Sequence, residues 1–420
     1  MSTQSAPARI VHPIASAWVS TGGTGAQNYD EFAADAEITE VVAANPDSSL
    51  AVEMPHCTPA ASAAGKAFAD CLDEAAATLG RLRDSGRFRP ATDVLVPYRI
   101  SGGDGTGYGL FCVVDTDQIS TSADEPGLVI RNEAVFPAKV RERAALTARL
   151  GTVLSPVLLL AAERADELNR TLAEVVARLG EPAVTDTDQQ GREHAVWLLG
   201  PGEQADRLRE LAGGGPLVVA DGNHRSLAAQ QGGQPRFLAV ITTPESVRIR
   251  PYNRLIRSVG MPVADVLDRL AAAGATVTEV PGRPEILRAP VVEVPEKPGT
   301  IVLYGDGRAY ALTLPSADTQ ANVVDRLDHT VTERLLIDGA LGMDPGDKRI
   351  TYVGGDYDAG WLVAEVDAGR ADLAVLIPPV RVEDFVEVNL ARLTMPRKST
   401  WFVPKARAGL VLADVLARAP

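Results

Sequence analysis

The sequence predicts an α/β (α+β) chain, a mixed sheet with flanking helices, on two observations. The first is the stretch Leu217-Val218-Val219-Ala220, an apolar run that stops at Asp221-Gly222 before Asn223-His224-Arg225 opens an alanine-rich segment of helical composition. Strand, tight turn and helix start follow one another directly. The second is the alternation of strand-like and helix-like segments through 195–199, 204–211, 217–220, 226–231 and 237–242, a βαβαβ succession that implies parallel or mixed pairing. In open sheets of this kind ligands sit beyond the carboxyl ends of strands, which is where Asp221 falls.

The chain of 420 residues is too long for one small core. It is read as an N-terminal α/β region, 1–245, that carries the Asp-Gly-Asn-His-Arg turn, and a C-terminal α/β region, 246–420, that completes the site. A net charge of -14 without basic runs argues against nonspecific nucleic-acid binding and against an anionic membrane surface. No apolar run approaches the roughly 20 residues that span a bilayer. Met1 to His12 lacks a long apolar core, so no secretory signal is expected and the protein is placed in the cytoplasm. Cys57, Cys71 and Cys112 form no CxxC pair and read as buried free thiols. The partners expected are small molecules, and the oligomeric state is left open.

Along the chain, Thr21-Gly22-Gly23-Thr24-Gly25 is a flexible loop without the Lys-Ser or Lys-Thr of a Walker motif. Residues 49–54 read as a strand and 60–82 as a helix. Strands at 94–100 and 108–115 flank a Gly-rich hairpin turn at 101–105. Residues 128–133 end a strand in polar groups, and on the helix that follows Lys139 and Arg143 stand four apart, on one face. That pair suits an anion clamp or a solvated charged face.

Leu168, Leu172, Val175, Val176 and Leu179 recur at helical spacing and mark an amphipathic helix. Farther on, a helix at 263–273, a strand at 275–280, a Pro-rich linker at 281–298 and a hairpin at 300–314 are expected. A helix at 323–341 carries His329, which is given no role. Strands at 349–353 and 373–377 alternate with helices at 357–368 and 382–393. The tail then groups Lys398, Ser399, Thr400 and Lys405 around two aromatics, which suits a phosphate or carboxylate ligand as well as a surface strand with snorkelling lysines.

At a strand-turn-helix junction the free N–H groups and the positive helix end favour a phosphate, with His224 and Arg225 beside it. Asp221 adds a carboxylate for a proton or a metal ion. The same residues also make ordinary turn and capping chemistry.

Several separated segments together resemble the DUF1015 family. Ala220-Asp221-Gly222-Asn223-His224-Arg225 is similar to its Ala-Asp-Gly-His-His-Arg hallmark. Tyr29-Asp30, Asn45-Pro46, Glu133 with Lys139 and Arg143, Ser155-Pro156, Tyr252-Asn253-Arg254, Leu327-Asp328, Gly354-Gly355, Met395-Pro396, Lys398-Ser399-Thr400 and Pro404-Lys405 match in the same order. The chain departs from the pattern at Asn223, Asn132, Gln27-Asn28 and Arg397, and two of these changes remove titratable groups.

The resemblance implies a ParB/sulfiredoxin-like core elaborated by a C-terminal lobe, with Gly222-Asn223-His224-Arg225 as the phosphate-holding turn. Some relatives are similar to free L-serine kinases, which make O-phospho-L-serine from ATP, ADP or pyrophosphate. On that footing Gly222, Asn223, His224, Arg225, Lys398, Ser399, Thr400 and Lys405 are expected to bind donor phosphates, and Asp221 to hold Mg²⁺. Glu133 or Asp30 would accept the substrate's hydroxyl proton. Tyr29, Lys139, Arg143, Asn253 and Arg254 would bind the substrate, the guanidinium forks taking its carboxylate. The rival expectations are a nucleotide-binding regulatory protein without catalysis and a nucleotide hydrolase.

Overall fold

The computed structural model describes residues 10–32, 34–103, 105–120, 127–133, 135–280, 299–315 and 321–416. Asp104 of the expected Gly-rich turn and the whole expected linker at 281–298 lie outside the described residues. Two compact units are present, one formed by Met1–Arg248 with Pro404–Pro420 and the other by Ile249–Val403.

In the first unit, β1 (Val11–His12) and β2 (Ile14–Ser20) lead through α1 (Asp35–Ala44), α2 (Leu50–Glu53), α3 (Pro59–Ala63) and α4 (Leu72–Asp84) to β3 (Phe88–Val94), β4 (Val96–Gly102) and β5 (Gly105–Asp115). Short β6 (Ile119–Ser120) and β7 (Val129–Ile130) precede α5 (Pro137–Leu150), β8 (Thr152–Val153), β9 (Val157–Ala161) and α6 (Ala165–Leu179). There follow β10 (Val184–Thr187), β11 (Glu193–Val196), α7 (Glu203–Ala212), β12 (Leu217–Asp221), α8 (Asn223–Gln231) and β13 (Arg236–Thr242).

The main sheet runs β10-β11-β4-β5-β13-β9-β12-β7-β6, with β1 beside β5. It is mixed: β12 is antiparallel to β9 and parallel to β7, whereas β13 is parallel to β9 and antiparallel to β5. Its central strands read as nearly unbroken apolar runs because both faces are covered; all five residues of β9 are buried. From α6, Leu168, Leu172 and Val175 enter the same core as Leu159, Val219 and Ala239. Burying one such Leu or Val contributes about 1.5–3 kcal/mol.

A second sheet of the first unit pairs β3, β2, Val411–Asp414 and β8. This pairing corrects the expected 246–420 region at its end: the chain returns to the first unit at Pro404, where Val411–Asp414 finds two antiparallel neighbours in β2 and β8. Residues 49–54 are also not a strand. Glu53 N donates to Ser49 O at 2.9 Å and Met54 N to Leu50 O at 2.8 Å, closing the one-turn helix α2 before Pro55. The helix expected at 60–82 breaks into α3 and α4, with Gly65 at φ +63° between them.

In the second unit six strands pair antiparallel throughout, in the order Thr276–Val280, Arg308–Thr313, Thr300–Gly305, Leu373–Leu376, Asn253–Ile256 and Ile350–Val353. Val263–Ala272 lays Val263, Val266 and Leu270 into its core. The helix expected at 323–341 is a 3₁₀ turn at Val324–Arg326, an α-turn at Asp328–Thr332 and a π-helix at Glu333–Ala340. Leu336, Ile337 and Ala340 of this last segment are buried in the core together. Among the described residues no helix is long and apolar enough to cross a membrane.

Candidate functional site

Asp221 closes β12 directly after a bulge. Val219 faces Leu159 and Asp221 faces Leu158 on β9, so Ala220 is the extra residue, and a bulge of this kind re-aims the side chain that follows. Gly222 then takes φ +97°, a left-handed conformation that favours glycine. A Cβ on it would lie 3.1 Å from Arg225 Nε and 3.3 Å from Val157 Cα. The turn is therefore tight enough to fold Arg225 back over its own glycine.

Arg225 is 8% exposed. Its Nη2 lies 2.5 Å from Asp221 Oδ2 and 3.8 Å from Asp30 Oδ2, while Nη1 donates to the Pro156 carbonyl at 2.5 Å and to Asn28 Oδ1 at 3.4 Å. Lys405 Nζ stands 3.4 Å from Asp221 Oδ1, and Asn28 Nδ2 donates to Asp221 Oδ2 at 3.4 Å. Burial alone would lower the guanidinium's pKa, but Asp221 and Asp30 more than reverse that, so Arg225 stays charged.

Glu31 completes this cluster. Burial, reinforced by Asp221 and Asp30, pushes its carboxyl up to about 7 against the pull of Lys405 and of the Asn28 amide, which donates to Glu31 Oε1 at 3.0 Å. Two cations thus face three acidic side chains. Asp221 and Asp30, which share Arg225, are the carboxylates there suited to a hydrated Mg²⁺, an ion commonly held by one or two carboxylates with phosphate oxygens and water.

Behind Arg225 lies a cavity with about 40 Å³ open to the centres of water-sized molecules, lined in part by Glu53, Arg143, Ser155 and Gln234. That volume suits a few ordered waters. Glu53 is buried, which raises its pKa, and it accepts from Ser155 Oγ at 2.7 Å. Arg143 Nη1 donates to the Glu53 carbonyl at 2.8 Å, and its guanidinium lies 4.2 Å from the Tyr29 ring centre and 4.7 Å from that of Phe68. Burial, partly opposed by Arg143, pushes the Tyr29 hydroxyl up to about 12.

Of the residues singled out in the sequence, Asp30, Asp221, Gly222, Arg225 and Lys405 come together here. Asn223 and His224 open α8 but are engaged sideways. Asn223 Nδ2 donates to Asn132 Oδ1 at 3.2 Å, and Asn132 Nδ2 donates to the Val219 carbonyl at 3.0 Å. His224 Nε2 accepts the Phe136 amide at 3.0 Å, with the two rings stacked 5.9 Å apart. Glu133 is half-buried on the segment that follows β7, the strand beside β12.

Other expectations are corrected. Lys139 and Arg143 make no common clamp, because Lys139 is exposed and Arg143 is buried against Tyr29 and Glu53. Asn253 and Arg254 are core groups of the second unit. Asn253 Oδ1 accepts from Ile377 N at 3.1 Å, and Arg254 donates to the Tyr252 and Asn253 carbonyls at 2.9 and 3.2 Å with Glu333 at 3.6 Å. Lys398 also belongs to the second unit, its Nζ 5.6 Å from the Tyr252 ring centre, as do Thr400 and the buried Ser399, whose Oγ donates to the Pro396 carbonyl at 2.8 Å. Sequence reasoning missed Glu31, Asn28 and Glu53. The signal for Glu53 was a single charge between the apolar run Leu50-Ala51-Val52 and Met54, and for Glu31 its place beside Tyr29-Asp30.

No curated protein matches the chain. Among solved structures it is similar to a free serine kinase in complex with AMP, at 15% identity and a TM-score of 0.39 over 71% of this chain and 91% of that one. It is also similar to a conserved hypothetical protein from Pyrococcus furiosus, at 16% identity and a TM-score of 0.37 over 71% and 95%. A third similar structure is C-terminally truncated SbnI from Staphylococcus aureus, at 10% identity and a TM-score of 0.36 over 71% and 87%. The model of the family described as "Protein of unknown function (DUF1015)" matches residues 24–330, which takes in the Asp30, Glu31, Asp221 and Arg225 cluster, and the chain belongs to that family.

Proposed function

We propose that this protein is a small-molecule kinase that phosphorylates the hydroxyl of free L-serine or a similar hydroxy amino acid, with ATP, ADP or pyrophosphate as donor. The observation that carries this reading is the Arg225 cluster: a guanidinium and an ammonium meet Asp221 at the amino end of α8, beside a carboxyl brought to about 7. Phosphoryl transfer requires little else from a protein than positioning, neutralisation of oxygen charge and a group to orient the attacking hydroxyl.

Donor phosphates bind the amides at Gly222–His224, where the helix dipole favours an anion, and draw Arg225 and Lys405 partly away from Asp221. Serine Oγ forms a bond to the terminal phosphorus as the bridging P–O bond breaks, the electron pair leaves with the departing phosphate, and the hydroxyl proton passes to a carboxylate. Glu31 is the favoured acceptor, since a base works best with a pKa near the ambient pH. Asp30 and Glu133 are the other acceptors in this reading. Asp221 and Asp30 would hold Mg²⁺, which neutralises charge on the phosphate oxygens.

The test is incubation of the purified protein with L-serine, Mg²⁺ and each donor in turn, followed by mass detection of O-phospho-L-serine. Asp221→Ala and Arg225→Ala should each lower turnover by orders of magnitude. Donor consumption without phosphoserine would make the protein a hydrolase, and nucleotide binding without turnover a regulatory binder; either result replaces the kinase reading.

A further inference from the structure

Away from the Arg225 cluster, Asp35, His56 and Cys57 bring a carboxylate oxygen, an imidazole nitrogen and a thiol sulfur within 4.8 Å of one another. Among the described residues this is the one trio of metal-ligating types so gathered. Asp35 opens α1, while His56 and Cys57 share the 3₁₀ turn Pro55–Cys57 that follows α2, so the three converge from two separate elements. We propose that they bind a single divalent transition-metal ion, Zn²⁺ by their chemistry.

The distances support this reading. His56 Nε2 lies 3.6 Å from Cys57 Sγ and 3.7 Å from Asp35 Oδ2. Tetrahedral zinc bonds of about 2.0–2.3 Å separate nitrogen and sulfur ligands by roughly 3.5–3.6 Å and nitrogen and oxygen ligands by roughly 3.3–3.5 Å. The first measured edge therefore has the required length, and the second closes by a few tenths of an ångström as the exposed Asp35 side chain turns. A soft thiolate, a borderline imidazole and a hard carboxylate are donors that borderline Zn²⁺ accepts together, and Mg²⁺ and Ca²⁺ select against the sulfur. The thiol gives up its proton as the ion binds.

A Cys-His-Asp nucleophile is the rival arrangement, and the geometry rejects it. Such a relay uses one ring nitrogen for the thiol and the other for the carboxylate. Here the same Nε2 faces both partners, while Nδ1 is buried without a hydrogen-bond partner. The ring is held instead by packing, edge-on to Phe68 with centroids 5.4 Å apart. Cys57 is buried and Asp35 exposed, so solvent reaches the ion from the Asp35 side and supplies its fourth ligand.

An ion here would tie α1 to the turn that follows Glu53 and Met54, the two residues that hold Arg143. The inference is independent of the kinase reading, and its test uses no activity. Untagged full-length protein, stripped with chelator and titrated with Co²⁺, should show the intense visible bands of tetrahedral cobalt and a thiolate charge-transfer band. Zn²⁺ should remain at one equivalent through gel filtration. Cys57→Ser and His56→Ala should abolish the charge-transfer band and the retained Zn²⁺ respectively, while Cys71→Ser and Cys112→Ser keep both. Asp35→Asn, at an exposed position that leaves the core untouched, should weaken Zn²⁺ binding at least tenfold. Folded wild-type protein without the bands, Cys57→Ser with unchanged bands, or Asp35→Asn with unchanged affinity overturns the site.

Discussion

Asp221 and Arg225 stand four residues apart across one glycine turn, and a 2.5 Å contact between Oδ2 and Nη2 joins them. Arg225 also lies within 3.8 Å of Asp30, so its removal leaves two acidic groups in a poorly solvated site. Breaking one side of such a pair costs about 3–5 kcal/mol, more than the pair itself contributes. Arg225→Ala should therefore lose stability on that scale in urea denaturation. Adding Asp221→Asn to it should recover part of the loss, and two strictly additive single effects would contradict the coupling.

Glu31 gives stability a defined pH dependence. Its folded carboxyl titrates at about 7 and its reference value is 4.5, so between these the folded state holds the extra proton. Stability from this group is fully present below 4.5 and is lost as pH rises through 7. The loss approaches roughly 3 kcal/mol, at about 1.4 kcal/mol for each pH unit between the two values. His194 acts in the opposite sense: burial lowers its pKa, so the folded state resists protonation and loses stability as pH falls below 6.5. The difference between wild type and Glu31→Gln isolates the first contribution. It should widen in favour of Glu31→Gln from pH 5 to pH 8 in denaturant titrations, and a flat difference would remove Glu31 from the buried cluster.

Gly222→Ala tests the turn itself. The new methyl meets Arg225 Nε at 3.1 Å and Val157 Cα at 3.3 Å in a left-handed backbone. Strain of this type costs about 1–3 kcal/mol. The melting temperature should fall, and on the kinase reading nucleotide affinity, measured calorimetrically, should fall with it as Arg225 is displaced. A variant that keeps wild-type affinity would show that the guanidinium position does not matter to the ligand.

Much of this site was legible because it rests on local chemistry. The apolar run to Ala220, the glycine and the alanine-rich opening of α8 fix a strand, a turn and a helix by propensity alone, and the mixed sheet follows from the alternation around them. What escaped was set by contacts distant in sequence. Lys139 and Arg143 share a helical face by spacing, but Tyr29 and the Glu53 carbonyl bury only Arg143. Arg254 looks like a carboxylate fork until its backbone carbonyl partners are known. Residues 49–54 are apolar enough for a strand, and only the Ser49 and Leu50 carbonyls accepting from Glu53 and Met54 make them a helical turn. The return of the tail at Pro404 depends on pairing between Val411–Asp414 and strands hundreds of positions earlier, which no window of sequence contains.

That return is fastened close to Lys405 by a buried polar relay. The Arg407 amide donates to the Tyr98 hydroxyl at 3.2 Å, Tyr98 Oη meets His194 Nδ1 at 2.5 Å, and His194 Nε2 meets Asp188 Oδ2 at 3.0 Å. Burial acts to raise the Asp188 carboxyl, but His194 and Arg192 hold it well below the usual carboxylate range. Tyr98→Phe keeps the ring's packing and deletes only the hydroxyl, leaving the Arg407 amide and His194 Nδ1 without that partner. Two such poorly solvated groups, at about 1–3 kcal/mol each, should lower stability by roughly 2–6 kcal/mol. Because Lys405 lies two residues before Arg407 and reaches Asp221, the same variant should, on the kinase reading, also weaken nucleotide binding several-fold. Equilibrium unfolding and calorimetry on one preparation read both effects. A loss of stability with unchanged affinity would mean that the relay secures the strand without positioning Lys405.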